Sequence, residues 1–176
     1  MNYNINLILA VDNNFAIGNE DELLYFFPKD LQRFVQKTKE KTVVMGRVNW
    51  ESLPKKLPKR KNLVITNQSE LETIKRGGQI DSPDLTVNDL DIILKLSLVE
   101  EVWIIGGDSI YQEFLPYAKT IELTKINTTV PVYDTDVKWL EQHLLSFNVT
   151  DIVAIQDVNK MDGKASSLEF ITYERR

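Results

Sequence analysis

Asp30 is an acid set between Pro28 and a helical stripe of Leu31, Phe34 and Val35. A carboxylate in the first turn of a helix is favoured by the macrodipole and needs no other reason to be there. Gly106-Gly107, inside EVWIIGGDSIYQEFLP from Glu101 to Pro116, is a second candidate. Two glycines leave the backbone bare at the carboxyl end of a strand, where open α/β sheets hold ligands and a helix start attracts phosphate. The same pair also serves as plain turn punctuation. The third candidate is KKLPKRK, Lys55 to Lys61, with five basic residues in seven and Arg47 upstream. Such a run is a solvated loop, a nucleic-acid patch or the hold on a small polyanion. Neither G-x-G-x-x-G nor G-x-x-x-x-G-K-[ST] occurs, which sets aside the ordinary dinucleotide fingerprint and the P-loop.

The elements that must position these groups follow from periodicity. Ile5 to Val11 is apolar on both faces apart from Asn6, as suits a strand in a covered sheet. A long loop follows, from the turn Asp12-Asn13-Asn14 through the glycine- and acid-rich Gly18 to Glu22. Pro28 opens a helix running to about Thr38. Thr42 to Met45 reads as a second strand, ending in Gly46-Arg47 before a short helical turn from Asn49 to Leu53. Asn62 to Thr66 reads as a third. The chain around Gly77-Gly78 reads as irregular and polar. Asn88 to Leu98 carries Leu90, Ile93, Leu94 and Leu98 on one helical face and feeds the strand Val102 to Ile105. Ile110, Tyr111, Phe114 and Leu115 then recur at helical spacing until Pro116. Thr120 to Ile126 alternates as a half-buried strand, and Phe147 to Ile155 with Leu168 to Glu174 reads as an antiparallel hairpin turning near Lys160 to Gly163. Strand and helix in alternation define an α/β fold: a central, mostly parallel twisted sheet flanked by helices, with an antiparallel C-terminal hairpin.

The chain has 176 residues, 43% apolar and 27% charged, which is the size of one domain spanning 1–176. Without cysteine, and with His143 as its one histidine, it offers neither a disulfide framework nor a Cys- or His-based metal site. The amino terminus reads as a strand rather than a signal peptide or membrane span, so a cytoplasmic location is the default. A formal charge of −5 argues against nucleic acid or an anionic membrane as a partner of the whole surface.

With these landmarks in order, the sequence resembles dihydrofolate reductase over nearly its whole length. ILAVDNNFAIG resembles that family's first strand and active-site loop, and FPKDLQRF its acid-bearing helix. VVMGRVNWESLP and LPKRKNLVIT resemble its cofactor and substrate segments, VWIIGGDSIYQEFLP its glycine-pair turn, and LTKI and FITYERR its later strands. The resemblance implies NADPH-dependent reduction of 7,8-dihydrofolate to tetrahydrofolate, by hydride transfer from nicotinamide C4 to pterin C6 with protonation at N5. It implies Asp30 as the acid that pairs with the pterin's 2-amino group and ring nitrogen, a planar two-donor edge that suits a carboxylate. Thr124 would bond behind that acid. Ile8, Ala10, Leu31, Phe34, Leu53 and Ile105 would form apolar walls, with Leu57 near the benzoyl group, and Arg60 would take the glutamate α-carboxylate in a forked pair. Tyr25 and Tyr111 join Asp30 as the residues implied in catalysis, Tyr111 beside the nicotinamide.

On the cofactor side, the resemblance implies Arg47 with Thr66, Asn67 and Gln68 for the 2′-phosphate, and Gly106 and Gly107 for the diphosphate. A cis peptide between the two glycines goes with the family. Ala10, Ile17, Gly18, Gly46, Val48, Asn49, Ile105, Asp108, Ser109, Ile110 and Tyr111 would line the rest. Where the family usually has Pro-Trp, this chain has Leu24-Tyr25, and Asp108 puts an acid, turned away as a helix cap, where a small residue is more usual. The implied partners are dihydrofolate, NADPH and antifolates such as trimethoprim or methotrexate, in a monomer with no resident metal. The alternative is a reductase of the same fold acting on another pterin or on a pyrimidine, which would not need both Asp30 and Arg60. A nucleic-acid-binding module is the rival of a different class, and it lacks aromatic residues interleaved with the basic run.

Overall fold

The computed structural model describes residues 2–67, 74–76 and 79–176, with side chains omitted at 74–76 and 79–81. In chain order the elements are β1 (Ile5–Val11), β2 (Ala16–Gly18), α1 (Pro28–Thr38), β3 (Thr42–Gly46), α2 (Arg47–Ser52), β4 (Lys61–Ile65), β5 (Ile74–Arg76), β6 (Gln79–Asp81) and β7 (Leu85–Val87). There follow α3 (Leu90–Leu96), β8 (Val102–Ile104), α4 (Asp108–Phe114), β9 (Ala118–Ile126), β10 (Thr135–Asp136), α5 (Leu140–His143), β11 (Phe147–Val158) and β12 (Ala165–Arg175). Together they make a mixed, largely parallel sheet with flanking helices and a C-terminal antiparallel pair. The chain divides into two compact units, Met1–Asn6 with Thr38–Ala118 and Leu7–Lys37 with Lys119–Arg176.

In the first unit β8, β3, β4 and β7 lie side by side and parallel. Their cores read VWI, TVVMG and KNLVI, runs of branched residues that suit strands covered on both faces. Val43, Val44, Met45, Leu63, Val102 and Ile104 are fully buried. The register sets Thr42 beside Lys61 and Val102, and Gly46 beside Ile65, so the carboxyl ends of these strands share one edge. Three features here differ from the sequence expectation. β7 and the antiparallel β5–β6 pair occupy a stretch that reads as irregular, because three-residue strands are too short to show a period. Gly77-Gly78 lies outside the described residues. The helix expected from Asn88 to Leu98 is shorter: the Asp89 side chain accepts from the Asp91 amide at 2.9 Å and starts it, and Leu98 falls beyond its end, 49% exposed.

In the second unit the order is β11, β12, β9, β1, with β11–β12 and β12–β9 antiparallel. α1 runs as expected, with Pro28 in its first turn, Asp30 beside it and Lys37 in the last turn. Its buried side is a surprise. Leu31 and Val35 are 46% and 39% exposed, while Arg33 is buried at 8%. β9 is likewise buried nearly throughout rather than on alternate residues, with Glu122 and Thr124 at 3% and 1%. The two departures have one cause, since Arg33 and Glu122 satisfy each other out of water. The loop after β1 is tied by β2 pairing with β10, a pairing of two short strands that the sequence did not signal.

Candidate active site

The acid-centred group of candidates belongs to the second unit. Asp30 sits in the first turn of α1, and its Oδ1 accepts from the Thr124 hydroxyl at 2.6 Å. Thr124 is held on β9 opposite Phe170 of β12. The same hydroxyl oxygen accepts from Arg33 Nη1 at 3.3 Å, one turn along α1. Arg33 Nη2 pairs with Glu122 Oε2, which also accepts from the Thr172 hydroxyl at 2.9 Å; Glu122 Oε1 accepts from Lys37 Nζ at 2.8 Å. The Arg33 guanidinium lies 4.8 Å over the Phe170 ring, a cation–π contact.

Burial pushes the Asp30 carboxyl above the usual carboxylate range, against the Thr124 hydrogen bond and the Arg33 charge, with Asp157 reinforcing the rise. Burial draws the Arg33 guanidinium below its usual value, while Glu122, Asp30 and Asp151 oppose the shift. A carboxylate with one oxygen already committed to a hydroxyl still has lone pairs on both oxygens. It can therefore take two parallel donors from a planar amidine-like edge.

The loop between β1 and α1 is organised by Asp12, a fully buried residue absent from the sequence reading of the site. Its Oδ1 accepts from the amides of Asn14 at 2.8 Å and Ala16 at 3.0 Å, and its Oδ2 from the Val130 amide at 3.2 Å. The fourth donor is the Tyr25 hydroxyl at 2.9 Å, so this residue's polar end is engaged with the loop's own anchor. Tyr25 stacks on Phe27, and both Tyr25 and Ala10 pack on the cluster Phe27, Ile126 and Leu168. Ile17 and Gly18 are half-buried in β2, and Ile8 is core at 7% exposed.

The glycine-centred group of candidates belongs to the first unit. The Gly106-Gly107 peptide is cis, and the Gly46 amide donates to the Gly106 carbonyl at 2.8 Å across the carboxyl edge of the parallel strands. Gly106 has φ +114°, and a Cβ there would lie 2.7 Å from Asn49 Nδ2 and 3.2 Å from the Tyr111 hydroxyl. A side chain would displace Asn49, which donates to the Ile105 carbonyl at 3.2 Å. Gly107 precedes α4 without a side-chain cap, so the turn presents bare backbone, which fits the close approach of a diphosphate. Asp108 does not cap the helix as expected. It is the first helical residue, and its carboxylate accepts from Gln112 Nε2 at 2.8 Å, four residues on.

Arg47 opens α2 and directs Nη1 to both Glu51 oxygens at 2.7 Å. Thr66 is buried, its amide bonded to the Val87 carbonyl, and Asn67 is exposed at the end of β4; Gln68 lies outside the described residues. Val48 and Ser109 are exposed, while Ile110 and Tyr111 are buried. Arg60 donates through Nε to the Thr38 hydroxyl at 2.8 Å and through Nη1 to the Pro58 carbonyl at 2.9 Å, which fixes the plane of its fork. Burial lowers its proton affinity. Lys56 is paired with Asp84 at 2.6 Å, and Lys55 and Lys59 are exposed. The apolar residues named with the substrate, Phe34, Leu53, Leu57 and Ile105, are partly buried.

Parallel strands ending in a bare glycine turn, and a part-buried carboxylate on the first turn of a helix, are features of ligand-binding α/β proteins. A family model described as dihydrofolate reductase matches residues 4–175. The dihydrofolate reductase of Buchnera aphidicola subsp. Acyrthosiphon pisum is 39% identical over 128 residues, 72% of this chain and 74% of that protein. That of Bacillus subtilis is 30% identical over 174 residues, 98% and 95% of the two chains. Among solved structures, the dihydrofolate reductase of Enterococcus faecalis complexed with NADP(H) and RAB-propyl superposes with a TM-score of 0.78. It shares the fold at 24% identity and covers 98% of this chain and 96% of its own. The chain belongs to the dihydrofolate reductase family, whose reaction is the NADPH-dependent reduction of 7,8-dihydrofolate.

The sequence reading passed over Arg33, Glu122 and Asp12. A signal for the first two was present: Arg33 follows Asp30 by three on a helix, and Glu122 precedes Thr124 by two on a strand, so each shares a face with its partner. Asp12 carried only a turn signal.

Proposed function

We propose that this chain produces 5,6,7,8-tetrahydrofolate with Asp30 as the residue that holds the pterin. The observation that carries the assignment is the 2.6 Å bond from Thr124 to a carboxylate kept in a buried setting. NADPH, when bound, supplies the hydride that passes from nicotinamide C4 to pterin C6. Asp30 accepts from the 2-amino group and the neighbouring ring nitrogen, orients the ring, and favours its protonation at N5. Arg60, its fork preset by Thr38 and Pro58, takes the glutamate α-carboxylate. Gly106 and Gly107 admit the diphosphate, Arg47 and Thr66 with Asn67 serve the 2′-phosphate, and Tyr111 stands by the nicotinamide. Tyr25 acts through the loop, by its bond to Asp12. We place the enzyme in the cytoplasm as a single-domain monomer open to antifolates of the 2,4-diamino class, whose planar edge offers Asp30 the same pair of donors. No helix among the described residues is long and apolar enough to cross a membrane.

The test is NADPH oxidation followed at 340 nm with dihydrofolate, with NADH in parallel and with Asp30→Asn. The expected result is turnover that prefers NADPH, with the hydride step in Asp30→Asn lowered at least about a hundredfold and NADPH affinity within about twofold of the parent. Binding of NADPH without dihydrofolate turnover would move the assignment to a reductase of another pterin or of a pyrimidine.

A further inference from the structure

Behind Asp30 the protein has buried a row of charge that the proposed reaction, as stated so far, does not use. A guanidinium has only donors, so Thr124 can do nothing toward Arg33 but accept. A threonine hydroxyl carries one proton, and with Arg33 on one of its two lone pairs that proton goes to the ionised Asp30 Oδ1, which can only accept. Every bond in the series Arg33, Thr124, Asp30 therefore runs toward the carboxylate. Were Asp30 to take a proton on Oδ1, that proton would need the hydroxyl's second lone pair beside Arg33, and the Thr124 proton would lose its acceptor. The arrangement favours an ionised Asp30, and it directs any proton the residue does take to Oδ2.

We propose that Arg33 is a positioning residue for the pterin carboxylate: by fixing the direction of the Thr124 hydroxyl, it holds Asp30 as the acceptor of the substrate's two-donor edge. Glu122 has the supporting part, since its pairing to Nη2 aims the other arm of the guanidinium at Thr124. The proposal rests on Asp30 being the pterin acid, yet its central claim concerns the free protein. The charged groups facing this row among the described residues are Lys29, Arg33 and Lys37 of α1, Glu122 of β9, and Asp151 and Asp157 of β11; β12 contributes the Thr172 hydroxyl and the Phe170 ring. Lys29 donates through its amide to Asp157 Oδ2 and through Nζ to the Gln156 carbonyl.

The experiment is a carboxyl 13C titration of Asp30 in the ligand-free chain, assigned with Asp30→Asn, in the parent and in Arg33→Met/Glu122→Met. That exchange removes one positive and one negative charge together and keeps a filled core, but it also takes from Asp30 the Arg33 charge that lowers its carboxyl, so the part carried by the hydroxyl is read by comparison with a Thr124→Val background. The expected result is a midpoint raised by about half a unit, roughly threefold in proton affinity. In a Thr124→Val background the same exchange should move it by clearly less, because only the direct loss of the Arg33 charge remains once the hydroxyl is gone. Arg33→Lys keeps the charge against Glu122 but loses the second arm of the fork; it should give an upward shift smaller than that of the double variant, and it decides the matter if the double variant does not fold. An unmoved midpoint in a folded variant, or an equal shift with and without Thr124, overturns the proposal. Single-turnover hydride transfer should show the matching displacement of its pH profile. A chain that lacks dihydrofolate turnover but shows the titration shift would refute the assigned reaction and leave the role of Arg33 standing.

Discussion

At the scale of residues, the role proposed for Asp30 is set against stability. Its carboxyl is raised above the ordinary value by burial, so the folded state holds the proton more tightly than the unfolded chain does. Stability from that group is therefore full at pH below the unfolded carboxylate value and is lost as pH rises through the folded one. Asp30→Asn keeps an acceptor for Thr124 and removes the charge. It should melt a few degrees higher than the parent at pH 7, with the difference closing as pH falls toward 4. A variant less stable at pH 7 would mean that Arg33 and Thr124 more than offset the burial.

Tyr25 gives a second case. Burial and the neighbouring Asp12 carboxylate lift its phenol above its ordinary value of 10.0, so it should stay neutral where other tyrosines ionise. Tyr25→Phe should cost about 1–2 kcal/mol in urea unfolding, since it takes a donor from a fully buried carboxylate that keeps three amides. It should remove none of the tyrosinate absorbance that develops near pH 10. Lost absorbance there would place Tyr25 in water. The role of Tyr25 was legible only in part from sequence, because an aromatic ring at that position says nothing of where its hydroxyl points.

At the scale of elements, helix α2 holds Arg47, the group proposed for the 2′-phosphate, against one of its own side chains. Arg47 and Glu51 stand four apart, half-exposed, and their pair adds at most a few tenths of a kcal/mol to the helix. A 2′-phosphate at Arg47 must displace Glu51. Glu51→Gln should therefore tighten NADPH binding by about twofold at low salt and leave NADH binding as it was, as read by fluorescence titration. An equal effect on both cofactors would move the 2′-phosphate away from Arg47. The long elements were readable because period and boundary signals agree in them: Pro28 to Thr38 shows a start, an acid and a stripe, and β1 is an unbroken apolar run. The short ones were not. β2, β7 and β10 have two or three residues each, and such pieces exist because a neighbour offers them hydrogen bonds.

At the scale of the molecule, the C-terminal hairpin leaves β11 as an edge strand on which Val149, Ile152 and Val153 are 49%, 56% and 45% exposed. An apolar edge is a template for pairing with other chains, and a lysine there blocks it. Ile152→Lys should leave activity and unfolding free energy unchanged within about 0.5 kcal/mol and reduce aggregation on heating. Lost activity would show that this face serves the site. A formal charge of −5 already favours solubility, and the basic run is divided between the ion pair Lys56–Asp84, the anchored Arg60 and exposed lysines.

Sequence by itself determined the α/β pattern, the family, and the candidates Asp30, Arg60 and the glycine pair, because each depends on residue type at a local spacing. It also placed Thr124 behind Asp30, 94 residues away, through likeness to relatives rather than through any local rule. Only the tertiary structure decided that Arg33 turns inward while Leu31 and Val35 stay open, and that Glu122 and Thr124 are buried on a strand whose alternation reads as half solvent. A charged residue is read as exposed because burying it alone is prohibitive. Whether an opposite charge waits across the helix–strand packing depends on contacts made after the chain has folded.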